Sequence, residues 1–321
     1  MNVLPFESRL RIVAALVEGA SIRTTERLTG VHRDTIMRFG ILAGDACARL
    51  HDRLVRNVHA ALIECDEIWT FVAKKQKRVT TADRAEAGDQ YVFTAVDAVS
   101  KLLISYRVGK RTSETADAFM GDLRARILGS PQITTDAWAG YPEAVDLHFG
   151  RAVDFATVEK NYAVGDPTPE ASRRYSPTAV RRVTKTAISG SPDMEKASTS
   201  YVERANLTWR MSIRRFTRLT NAFSRRVRNL EAAFALQAAY YNFARARVHD
   251  TLRVTPAMQA GVTDHVWSLP ELVEAALAAV PLPPTSPPPV GLTAAQAKGE
   301  GRGTTSRGAT HGLRIIQGRR R

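Results

Sequence analysis

Three acids in this chain sit where a carboxylate needs a reason. Asp66 lies inside the apolar run "LIECDEIWTFV" (62–72), and Asp136 interrupts "ITTDAW" (133–138). Glu203, in "YVERANL", is followed by 25 residues that hold eight arginines and no other acid. Burying a carboxylate is costly unless a cation meets it. Carboxylate oxygens are the ligands that Mg²⁺ prefers, and two such ions held close together activate an attacking oxygen and stabilise a leaving one in phosphodiester chemistry. Two of the acids also have a structural reading: Asp136 as the N-cap of the helix after it, Glu203 as a partner of Arg204 or a neighbouring turn. Glu67 is expected to matter less than Asp66, because neighbours on a strand face opposite sides.

The elements that would position these acids follow from periodicity. Residues 61–72, 90–100 and 101–109 read as three β-rich runs, with a charged excursion over 73–89 and a turn at "DAVSK". A helix follows from Thr112 or Ser113, with Ala116, Phe119, Leu123 and Ile127 on one face. "QITTDAW" is a short strand, "YPEAVDLHF" a helical turn or two, and "AVDFATV" another strand. Asp66 and Asp136 then project from one end of a mixed sheet covered by helices on both faces, an α/β class. Residues 160–199 show no periodicity and read as a basic insertion. From Tyr201 one apolar stripe, Val202, Ala205, Trp209, Phe216, Leu219, Phe223, Val227 and Leu230, predicts a long helix, with a second behind it.

Ahead of the sheet, residues 8–50 fit three short helices. Gly19 closes the first, Ser21 caps the second, and "TGVHRD" turns into a third that begins near His32 or Arg33. That layout is a small all-α helix-turn-helix, whose last helix would bring Arg33, Asp34, Thr35 and Arg38 to bases or phosphates. The expected boundaries are 1–55 for this unit, 60–250 for the sheet domain, 251–280 for a C-terminal helical segment and 281–321 for a disordered Pro/Gly/Arg-rich tail.

The blocks "CDEIWTFVAKKQKR", "ITTDAWAGY" and "YVERANLTWRMSIRRFTRLTNAFS" together resemble the catalytic blocks of the insertion sequence one family of bacterial transposases. The resemblance covers roughly residues 60–250 and extends into "YYNFARARVHDTLRVTPAMQAG". It implies an RNase H-like domain with a DDE triad matched by Asp66, Asp136 and Glu203, acting with Mg²⁺ or Mn²⁺. It also implies cutting at the element's ends to free a 3′-hydroxyl, which is then joined to target DNA. Members often carry a Cys-rich zinc element, and this chain has no CxxC pair. On the Arg-rich helix, Asn206 and Arg210 share a side with Glu203, and they are expected, with Arg214, to grip flanking DNA.

Composition agrees with a polyanionic partner. Forty-six Lys plus Arg against 32 Asp plus Glu leave a formal charge of +14 and a pI near 10.2. Cys47 and Cys65 are too few for a disulfide framework and read as small buried hydrophobes. No signal peptide and no membrane span is expected, which points to a cytoplasmic, nucleoid-associated protein. The expected partners are double-stranded DNA, as element inverted repeats and target, and further copies of the chain on that DNA. The alternatives are a helix-turn-helix regulator without catalysis and a metal-dependent nuclease of the same fold.

Overall fold

The computed structural model describes residues 4–162, 180–217, 221–249 and 252–278. Three helices come first: α1 (Phe6–Val17), α2 (Ile22–Thr29) and α3 (Arg33–Leu54). The Ser21 hydroxyl accepts the Thr24 N–H at 3.1 Å and starts α2, which Gly30 ends in the left-handed conformation at φ 70°. Both helix ends are thus set by local capping. α3 is longer than a recognition helix needs. Its 22 residues bury Ile36, Phe39, Ala43, Ala46, Cys47 and Leu50 along one side.

After the two-residue strand β1 (Val58–His59) come β2 (Leu62–Val72), β3 (Gly88–Asp97) and β4 (Leu103–Gly109). Next are α4 (Ser113–Arg126), β5 (Ile127–Leu128), β6 (Gln132–Thr135), α5 (Tyr141–Phe149), β7 (Asp154–Tyr162) and β8 (Val180–Ser189). The six longer strands form one sheet in the order β4-β3-β2-β6-β7-β8. β2–β6 and β6–β7 are parallel, and the other pairs are antiparallel, so the sheet is mixed as expected. β8 corrects the reading of residues 160–199 as wholly irregular. Its exposed side chains, among them Val183 and Ile188, hide the alternation that marks a half-buried strand. Residues 163–179 of that insertion lie outside the described residues.

Period-two alternation divides the core between the two faces of the sheet. Ile63, Cys65, Phe93 and Ala95 join α4, α5 and the N-terminal helices in one cluster. Ile68, Val72, Val92 and Val96 face the opposite way. There they meet α6 (Ser200–Ser212) and α7 (Val227–Ala239) through Trp209 and Phe234, with Tyr241 just past the end of α7. The single helix predicted from Tyr201 to Leu230 is therefore broken. α6 stops at Ser212, Ile213 turns extended, and a short 3₁₀ turn covers Arg214–Phe216. Both halves of the stripe are apolar because both pack on the same face of the sheet, so periodicity alone cannot reveal the break. Leu219 lies outside the described residues.

β9 (Arg247–His249) and β10 (Leu252–Val254) form a small hairpin, followed by α8 (Pro256–Gln259) and α9 (Leu269–Ala278). The described residues make one compact unit, and the proposed tail from 281 lies outside them. The N-terminal helices share their core with the sheet. Cys47 and Cys65 are 2% and 0% exposed. No described helix is long and apolar enough to cross a membrane.

His51 of α3 reaches across to the sheet. Its Nε2 lies 3.1 Å from the Leu103 carbonyl, and its ring meets Tyr106 edge-on at 5.2 Å. Burial, helped by the Arg126 charge, pulls its pKa down to about 4. The folded protein thus keeps His51 neutral while the unfolded chain takes up a proton below about 6.5. The stabilisation is fully present above that pH and is lost as pH falls from about 6.5 to 4, by up to about 3 kcal/mol. Urea unfolding of wild type and His51→Asn at neutral and acid pH isolates this contribution from that of the acids. The stability gap between them should shrink on acidification, and a constant gap would contradict it.

Candidate active site

β6 ends at Thr135, and its pairing with β2 stops at Glu64–Thr134. The two strands separate just there, and side chains that continue past the last pair can converge in the opening. Asp66 extends from β2, and Asp136 follows directly on β6. Asp66, Glu67 and Asp136 each bring a carboxylate oxygen within 4.8 Å of the others. Asp66 and Asp136 open into a cleft of about 590 Å³ lined also by Arg111, Lys160 and Glu203.

Two helices complete the cleft, and each is fixed by a particular contact. Glu64 sits two residues before Asp66, on the same face of β2. Its Oε2 accepts the Tyr201 and Val202 backbone N–H groups at 2.7 and 2.9 Å. A carboxylate at a helix N-terminus satisfies orphan donors and the helix dipole together. α6 is thereby pinned to β2 with Glu203 in its first turn, facing the cleft. One turn on, Asn206 donates from Nδ2 to Asp66 Oδ2 at 2.8 Å and accepts the Thr94 hydroxyl at 3.1 Å. Asp136 accepts the Trp138 N–H at 3.1 Å, a local turn, while Gly140 stands at the N-cap of α5.

Cations answer the cost of gathering these acids. Arg111, just before α4, places one guanidinium nitrogen 3.0 Å from both Glu67 Oε2 and Asp136 Oδ2. The same guanidinium lies 4.8 Å over the Trp138 ring. Lys160 of β7 contacts Glu203, which also accepts the Thr199 hydroxyl at 2.8 Å. Burial raises the Asp66 pKa to about 6, and the Asp136 charge adds to the shift. Burial and the same neighbour raise that of Glu67 to about 7. The Tyr141 hydroxyl beside Glu67 pulls back, although neither it nor Glu67 Oε1 completes a hydrogen bond of ordinary geometry. A hard oxygen cluster that holds on to protons near neutrality, with one buried oxygen unsatisfied, suits a divalent cation.

The expected residues fall as follows. Asp66, Asp136 and Glu203 line one cleft, but the tight trio contains Glu67, with Glu203 beyond it. Strand alternation leads to the expectation that Glu67 matters less than Asp66. Alternation does send it to the other face, yet Asp136 comes off the end of β6 between the two faces and reaches both. Asn206 was expected to grip DNA. It is instead 5% exposed and committed to Asp66 and Thr94. Arg210 is partly exposed in the last turn of α6, and Arg214 is exposed just past it. Arg33 and Arg38 are exposed on α3, and Thr35 partly so. Sequence reasoning missed Glu64, Thr94, Arg111 and Lys160. The spacing of Glu64 and Asp66 was a readable signal, whereas nothing local marks Arg111 or Lys160.

No protein-family profile and no curated protein sequence matches the chain. Among solved structures, it is similar to the piggyBac transposase in its synaptic complex with hairpin DNA. That similarity has 12% identity and a TM-score of 0.37, over 85% of this chain and 69% of the other. It is also similar to the Mos1 transposase in its paired-end complex with the left transposon end. There the identity is 11% and the TM-score 0.18, over 46% of this chain and 58% of the other. Scores this low carry no conclusion about shared architecture, and the functional reading rests on the cleft itself.

Proposed function

We propose that this chain is a metal-dependent DNA transposase with an RNase H-like catalytic fold, of the insertion sequence one kind. The observation that carries the reading is the convergence of Asp66 and Asp136 from adjacent parallel strands, with Glu203 facing the same cleft from a helix tied to β2 by Glu64. A regulator without catalysis gives no reason to collect these acids at the cost of raised pKa values.

In this reading Asp66, Asp136 and either Glu67 or Glu203 hold Mg²⁺ or Mn²⁺. Bound there, the metal supplies activation of the attacking oxygen and stabilisation of the leaving one. The protein's own groups do the rest. Asn206 and Thr94 fix the Asp66 carboxylate in one rotamer, and Thr199 and Lys160 do the same for Glu203. Arg111 holds Asp136 and Glu67 together by one guanidinium nitrogen. Recognition of the element ends falls to α2 and α3, with Arg33, Thr35 and Arg38 toward the groove and Arg210 and Arg214 on flanking phosphates. Bringing two ends together calls for at least two copies of the chain.

The test uses the full chain, Mg²⁺ or Mn²⁺, and DNA carrying the inverted repeats that flank its gene. Nicks that leave 3′-hydroxyls at the repeat ends, followed by joined products, are expected. Cleavage without joining would reduce the protein to a nuclease, and intact DNA under both metals would refute catalysis.

A further inference from the structure

Beyond the acids, β2 carries Trp69 and Phe71 on the same face as Glu67, since alternate residues of a strand share a face. The half of β2 past Glu64 has lost β6 as a neighbour. At its end it meets the segment after α6, where Ser224 bridges Val72 and accepts the Ala73 N–H at 2.8 Å. Strand, segment and the turn that follows β2 enclose a second cleft of about 500 Å³. This is within the range of about 300–1,000 Å³ typical of ligand sites. Its apolar wall is a run of rings: Trp69 and Phe71 have centroids 6.0 Å apart, and Phe71 and Phe223 are 5.0 Å apart.

Its remaining wall is cationic. Lys75 and Lys77 are exposed, and neither has a carboxylate partner among the described residues. Arg215 is partly buried, donates to the Ser224 hydroxyl at 3.2 Å and has no carboxylate partner among the described residues. Burial lowers its pKa, as expected for a cation that lacks an anion. No acid lines the cleft among the described residues.

This pairing of surfaces selects an occupant. An acidic peptide would use the cations and leave the rings idle. An apolar ligand would use the rings and leave Arg215 half-buried without an anion. Duplex DNA hides its base faces in the stack. Unpaired nucleotides use both walls, offering a π-face to each ring and a phosphate to each cation.

We propose that this cleft binds a short run of unpaired DNA nucleotides, with bases stacked on Trp69, Phe71 and Phe223 and phosphates on Arg215, Lys75 and Lys77. Trp69 lies two residues from Glu67, about 7 Å along the strand, so the rings stand close to the acid trio. The inference rests on the transposase reading only in taking the strand to be DNA.

The test is fluorescence anisotropy on the full chain in EDTA, where no metal-dependent chemistry runs. The probes are a labelled blunt duplex, the same duplex with a short single-stranded overhang, and that overhang made of RNA. The DNA overhang should raise affinity about tenfold or more over the blunt duplex, as base–aromatic stacking implies. Trp69→Ala should erase that gain and leave blunt-duplex affinity within about twofold. The surface double variant Lys75→Ala/Lys77→Ala should reduce the gain and flatten its salt dependence. No overhang gain in wild type, a gain that survives both variants, or tighter binding of the RNA overhang would each overturn the proposal. A protein that shows the gain but never cleaves DNA would sink the transposase reading and leave this cleft standing, and the converse separates them equally well.

Discussion

Asp66→Asn should reduce strand cleavage by on the order of a thousandfold while leaving the fold as stable as before, or more so. The loss follows from chemistry: an amide cannot supply the charged oxygen that holds a divalent cation, and that cation accounts for several kcal/mol of charge stabilisation. The gain in stability follows from electrostatics. In the folded chain Asp66 is a partly buried carboxylate beside Asp136, with a pKa raised to about 6, so its ionised form strains the native state at neutral pH. The Asn side chain has the same shape. Its oxygen still accepts from Asn206, as Asp66 Oδ2 does at 2.8 Å. Removing the charge removes the repulsion without opening a cavity, the exchange of stability for function expected where acids are gathered for work. Cleavage assays and thermal unfolding on one preparation check both halves. Retained cleavage would refute the role of Asp66, and a clear drop in Tm would assign it to the fold. Glu67→Gln and Glu203→Gln, titrated with Mn²⁺ by calorimetry, decide which acid completes the set. The tight trio predicts that Glu67→Gln loses the metal and Glu203→Gln keeps it.

Legibility in the sequence tracked how local the determining physics was. The strands that carry the acids were readable because β2 and β3 alternate between two buried faces, and the junction at Gly30 because turns have fixed residue needs. The acids themselves stood out through the cost of placing charge in apolar runs. What was not readable came from contacts distant in sequence. Lys160 meets Glu203 across 43 residues, and Asn206 meets Asp66 across 140. No periodicity records such pairs. Asn206 and Arg210 do lie near Glu203 on α6, as helical spacing requires, but spacing says nothing of whether that side faces solvent or the sheet. β8 was missed for the opposite reason, since an exposed strand carries no burial pattern to detect.

The same distinction governs the N-terminal helices, which sequence separates and packing joins. Gly44 of α3 lies so close to α7 that a Cβ there would fall 2.2 Å from the Ala232 carbonyl oxygen and 2.5 Å from its Cα. Both are backbone atoms, which cannot turn aside as a side chain can. A leucine at 44 must therefore part the two helices, and overpacking of this kind costs about 3 kcal/mol or more. The damage does not stop at the helix pair. α3 contributes Ile36, Phe39, Cys47 and Leu50 to the cluster that holds Phe93 and Ile104 of the sheet. Gly44→Leu is accordingly expected to lower the Tm of the whole unit by roughly 10 °C, in one transition, or to prevent accumulation of folded protein. Gly40, one turn earlier, is the control. A Cβ there meets only the Leu16 side chain, at an ordinary 3.6 Å, so Gly40→Ala should be neutral or stabilise by up to about 1 kcal/mol. Two separate unfolding transitions in Gly44→Leu, with the sheet melting at its wild-type temperature, would instead mean that residues 1–55 fold on their own. A single one means that any grip of α3 on DNA is transmitted to β2 through a packed core.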